Sequence, residues 1–128
     1  MKLTLQATVV MTAILVPPPS TAAAQDATEG ERAFRRCAAC HQVGPDAANR
    51  IGPHLNGVVG RKVAAVEGFR YSRAMAASEF AWSEEELAKF LANPRQAIPG
   101  TTMVFVGIRD EVEIANLIAF LKQFETDS

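Results

Sequence analysis

Apolar positions fall into one dense block at the start of the chain and several short helical patterns further on. From Leu3 to Val16 only Thr4, Gln6, Thr8 and Thr12 interrupt the apolar run, which stops short of the roughly 20 residues a membrane-spanning helix needs. Met1-Lys2 precedes it, and Pro17-Pro18-Pro19 and Ser20-Thr21-Ala22-Ala23-Ala24 follow. A charged start, a short apolar core and a small-residue Ala-x-Ala site read as a secretory signal over residues 1–24, cleaved after Ala24. The competing reading, a retained membrane anchor, has three prolines against its helix. The expected domain is therefore 25–128, in an exported, periplasmic protein.

Beyond that point the periodicity predicts helices and no sheet. Asp26 or Thr28 can cap a first helix reaching about Ala39, with Thr28-x-x-Glu31 at capping-box spacing and Phe34 as its apolar anchor. From His41 to Phe69 seven Gly or Pro residues and the lack of a sustained period predict an ordered loop, which needs something to wrap. A short helix fits Ser72 to Ala77. Ser83-Glu84-Glu85-Glu86 opens another, with Leu87, Phe90 and Leu91 on one face and Pro94 ending it. Asp110-x-x-Glu113 starts the last, carrying Ile114, Leu117, Ile118, Leu121 and Phe124. Met103 to Val106 has strand propensity, but no second segment of similar quality could pair with it. The fold class is thus all-α, three to four helices with long loops, and its apolar core is thin for a small domain.

Composition removes several functions. Thirteen basic against fourteen acidic residues in 128 give a net charge of −1, and the mature chain carries −2, so nothing points to nucleic acid. Two cysteines allow one disulfide at most, too few for a cysteine-stapled miniprotein.

Those two cysteines carry the chemistry. Cys37-Ala38-Ala39-Cys40-His41 is C-x-x-C-H, the attachment sequence of c-type haem. Thiols three residues apart share one face of a helical turn and can add to the two vinyl groups of one porphyrin, and the adjoining imidazole can reach the iron. A thioredoxin-like redox pair would need a βαβ context, and a structural zinc site would need a fourth ligand, for which His54 is the candidate. A buried haem c also explains the thin core and the long loop.

The motifs around this pentapeptide are more specific still. They are Gly30-x-x-x-Phe34, Gly52-Pro53-x-Leu55-x-Gly57, Gly60-Arg61-Lys62, Gly68-Phe69-x-Tyr71, Trp82, Asn93-Pro94, Ile98-Pro99-Gly100-Thr101-x-Met103 and Leu117-Ile118-Ala119-Phe120-Leu121. In these the chain resembles, over residues 28–124, a class I c-type cytochrome of the short monohaem bacterial kind close to mitochondrial cytochrome c. The resemblance implies the cytochrome c fold around one covalent haem, with His41 and Met103 as axial ligands of the iron. It assigns the carbonyl of Pro53 to the second nitrogen of His41, and gives Arg61, Tyr71 and Trp82 to the haem propionates, anions that are costly to bury without donors. Thr101 matches a hydroxyl of the haem pocket. Met75 stands where the family more often has Asn, Phe90 where it often has Tyr, and His54 is expected as a surface loop residue.

With both axial sites filled by protein, one-electron Fe(III)/Fe(II) exchange is the chemistry left to the iron. The resemblance therefore implies a monomeric, soluble periplasmic electron carrier of a respiratory or photosynthetic chain, not an enzyme. Its donor would be a cytochrome bc-type membrane complex and its acceptor an oxidase, reaction centre or reductase. Alternatives are a peroxidase or ligand-binding cytochrome with a displaceable sixth ligand, and a dedicated electron-accepting subunit of a periplasmic dehydrogenase. Lysines are few and Thr102 stands where the family usually has Lys, so Arg35, Arg36, Arg50, Arg95 and Arg109 are the candidate docking ring.

Overall fold

The computed structural model describes Leu15 and residues 25–125, so the leader apart from Leu15, and its cleavage site, lie outside the described residues. The first helix, α1 (Ala27–Phe34), is capped by Asp26, whose carboxylate accepts from the N–H groups of Thr28 at 2.8 Å and Glu29 at 3.2 Å. Thr28 therefore does not cap it. The helix also stops five residues before the expected Ala39. Past Phe34 the chain tightens into turns, with Cys37 N–H bonded to Phe34 O at 2.7 Å and Cys40 N–H to Cys37 O at 3.0 Å.

Among the described residues five helices stand where three to four were expected; the short helix read over Ser72 to Ala77 is present, and the added one, Pro94–Ala97, is a single turn with no period to read. The second, α2 (Arg73–Ala76), is capped by Ser72, and α3 (Glu84–Ala92) by Ser83 with three glutamates in its first turn. Pro94 ends α3 as expected but also begins α4 (Pro94–Ala97), since a residue with no N–H suits a first helical position. The last, α5 (Glu111–Leu121), starts at Asp110 and buries Ile114, Leu117, Ile118 and Leu121. Phe124 lies past its end yet still packs on Phe120, with ring centroids 5.0 Å apart.

The core is built on the pairing of α1 with α5. Phe34 meets Phe120 at 5.4 Å, the buried Asn116 side chain accepts the Asp26 N–H at 2.8 Å, and Arg36 pairs with Glu113 at 2.7 Å. Leu87, Phe90 and Leu91 of α3 complete the apolar cluster with Trp82 and Ile108.

Among the described residues there is no strand, and Met103 to Val106 is irregular. One isolated antiparallel bridge joins Lys62 to Ala81 and fastens the long loop to the segment before α3. Asparagines fasten the rest of that loop. Asn56 exchanges hydrogen bonds with the Gly44 backbone at 2.7 and 2.9 Å, while Asn49 accepts from His54 N–H and donates to Glu67 O. No helix among the described residues is long and apolar enough to cross a membrane.

Candidate functional site

The turns after α1 carry Cys37 and Cys40 on one wall of a cavity of about 230 Å³. The residues expected to hold the haem and its iron all line it: Cys37, Cys40, His41, Pro53, Arg61, Tyr71, Trp82, Thr101 and Met103. Met75 and Phe90 line it too, whereas His54 does not.

His41 follows directly from the second cysteine and is almost fully buried. Its Nδ1 stands 2.7 Å from the Pro53 carbonyl oxygen, which can only accept, so Nδ1 carries the proton and Nε2 is left with a free lone pair. Burial holds the imidazole below the usual histidine pKa, against the Pro53 bond, which acts the other way, and the Arg61 charge, which adds to the lowering. Gly52 makes this placement feasible. A β-carbon there would sit 2.3 Å from His41 Cε1.

The thiols are free and half-buried. Burial raises the Cys37 pKa, an effect that neighbouring Arg36 partly offsets. Across the cavity, Met103 N–H donates to the Thr101 hydroxyl at 3.3 Å, and Tyr71 accepts the Val66 N–H at 3.1 Å. Trp82 packs between Phe80 and Phe90, at 5.2 and 5.0 Å. Arg61 is held by its Nη1, which donates to His54 O at 3.3 Å and Asn56 O at 2.9 Å. Burial lowers its pKa, yet it remains a guanidinium cation.

These residues fit an iron porphyrin. The wall is mostly apolar, two thiols lie together, and an oriented imidazole lone pair and a thioether supply borderline and soft donors. Arg61 Nε is buried with no protein partner, as expected of a donor meant for a propionate.

Three features were not foreseen. His54, expected at the surface, is half-buried with its Nδ1 out of contact with solvent. Ile51 and Val104, 79% and 91% exposed, line the cavity as well, so they mark its open side. Of the candidate docking arginines, Arg36 is engaged with Glu113, while Arg35, Arg50, Arg95 and Arg109 make no ion pair among the described residues. A partner 77 positions away leaves no sequence signal.

Comparison with known proteins agrees with this geometry. The family model described as Cytochrome c matches residues 27–125. Cytochrome c2 of Blastochloris viridis is 45% identical over 114 residues, 89% of this chain and 90% of its own. Cytochrome c-550 of Nitrobacter winogradskyi is 44% identical over 102 residues, 80% and 94% of the two chains. The solved structure of cytochrome cH from Methylobacterium extorquens superposes with a TM-score of 0.72 at 41% identity, covering 77% of this chain and 98% of that one. Covalent haem c with its iron, and one-electron carriage between redox complexes in place of enzymatic turnover, come with these matches. The chain belongs to the cytochrome c family.

Proposed function

We propose that the protein is a soluble periplasmic carrier whose residues 1–24 are a signal removed after Ala24. It takes electrons from a cytochrome bc-type membrane complex and gives them to an oxidase, reaction centre or reductase. When bound, the haem supplies a one-electron Fe(III)/Fe(II) couple. Cys37 and Cys40 would tether it through thioethers, and His41 Nε2 and Met103 Sδ would hold the iron. Pro53 O fixes the tautomer and plane of His41, because the proton it binds at Nδ1 cannot move to Nε2. Arg61 offers its Nε to a propionate, with Tyr71 and Trp82 as the remaining polar groups on that side. Thr101 shapes the Met103 loop through the Met103 N–H. With His41 and Met103 both holding the iron, water and substrate would be kept from it, and electron exchange at the open side of the cavity would be the chemistry left.

The observation that carries this reading is that Cys37, Cys40, His41 and Met103, from two distant loops, wall one cavity. The optical spectrum and potentiometric titration of exported holoprotein test it. A weak band at the red end from Fe(III)–S(Met), with a reversible one-electron wave, is the expected result. Absence of that band at neutral pH together with avid carbon monoxide binding by the reduced protein would overturn it. Intact mass reads the leader separately, as 104 residues plus one haem.

A further inference from the structure

Two buried side-chain atoms among the described residues lack a hydrogen-bond partner, His54 Nδ1 and Arg61 Nε, and they belong to adjoining residues. Arg61 is anchored by Nη1 on the backbone carbonyls of His54 and Asn56. Its guanidinium thus rests on the residue whose ring carries the other unpartnered atom. Arg61 lines the cavity, whereas His54 does not.

The backbone bearing His54 is tied down independently, since its N–H donates to Asn49 Oδ1 at 3.1 Å and Asn49 Nδ2 donates to Glu67 O at 3.2 Å. Both asparagines tied to this turn are neutral. The charge that acts on the ring is Arg61, and the Tyr71 phenol bears on Arg61 from the other side. Burial first, and then repulsion from Arg61, hold His54 below the usual histidine range. A second positive charge there adds to the field that Arg61 already directs into the cavity.

We propose that His54 is a positioning residue for the electron, whose protonation beside Arg61 raises the reduction potential of the group in the cavity. An added positive charge favours Fe(II), and the extra charge of Fe(III) expels the proton. Reduction therefore draws one electron from the donor complex and a fraction of a proton from solvent onto His54, and both leave on oxidation. The inference rests on the reading of the cavity as the haem site.

The test is the midpoint potential of holoprotein from acid to neutral pH for wild type, His54→Asn and His54→Gln, with the His54 ring C–H resonances titrated in each oxidation state. The wild-type potential should fall with rising pH through the His54 titration and then level off. Both variants should be flat across that window, at the wild-type neutral level, and His54 should titrate at higher pH in the Fe(II) protein. Variants that keep the wild-type slope, or coincident titrations in the two oxidation states, would overturn the inference alone. A wild-type protein without a reversible one-electron wave would overturn the haem reading and the inference together.

Discussion

A β-carbon on Gly30 would lie 2.0 Å from the carbonyl oxygen of Asn116, so α1 and α5 meet backbone to backbone at this residue. The obstacle is main chain, joined by Phe120 Cβ at 2.7 Å, and neither can swing aside as a flexible side-chain tip would. Gly30→Ala must therefore push the helices apart, loosening the Phe34 and Phe120 contact and the Asp26 bond to Asn116. A cost of about 2 kcal/mol is expected for such overpacking. For a domain of this size that lowers the thermal midpoint by roughly 10 °C. Melting of the holoprotein followed by circular dichroism would show it, and an unchanged midpoint would mean that the helices do not meet here.

Gly52 plays the corresponding part at the site. Gly52→Ala places a methyl 2.3 Å from His41 Cε1 and 2.6 Å from Nδ1, so the ring must turn away from Pro53 O. The ferric spectrum should then gain a high-spin component that wild type lacks, with a lower yield of haem-loaded protein. A wild-type spectrum at full yield would show that His41 does not depend on this contact.

How far the site was legible follows from what kind of signal each residue leaves. Cys37, Cys40 and His41 are adjacent, and their spacing alone states a chemistry; Pro53, Arg61, Tyr71, Trp82, Thr101 and Met103 were found through resemblance, and all of them line the cavity. The Arg36 pair with Glu113 and the contact between Gly30 and Asn116 depend on how α1 packs against α5, which periodicity does not specify. Local chemistry accounts for the helix boundaries. Of the two expected caps it is Asp26 that closes the start of α1, the turns after Phe34 end that helix short of Ala39 and bring the cysteines together, and Pro94 ends α3 as expected while opening, with Asn93 as cap, the unexpected α4.

The cavity also sets the cost of losing its contents. Without the haem its mostly apolar walls would face water through the open side, a loss of burial that counts heavily against the whole stability of a small domain, about 5–15 kcal/mol. The apoprotein, and a Cys37→Ala, Cys40→Ala double variant purified free of haem, should therefore lack a cooperative thermal transition. A sharp melt of the haem-free chain would show that α1, α3 and α5 close the space by themselves.

Arg36 and Arg50 separate two kinds of surface charge. Glu113 lies 2.7 Å from Arg36 and already offsets its charge, so Arg36→Gln should change association with an acidic redox partner little and cost at most about 1 kcal/mol of stability. Arg50 and Arg109 make no ion pair among the described residues, and Arg50 adjoins Ile51 on the open side of the cavity. No internal partner offsets their fields, which salt screens over a length of about 10 Å at 0.1 M. Arg50→Gln with Arg109→Gln should therefore slow electron transfer at low salt severalfold and flatten its salt dependence, whereas the rates of variant and wild type should converge at high salt. Exposed Ile51 and Val104 carry no charge, and the part of the association they contribute should persist there. Stopped-flow transfer to an acidic acceptor across ionic strength measures both limits. If wild type itself gave a rate independent of salt, the arginines would be a solvated surface and not a docking ring.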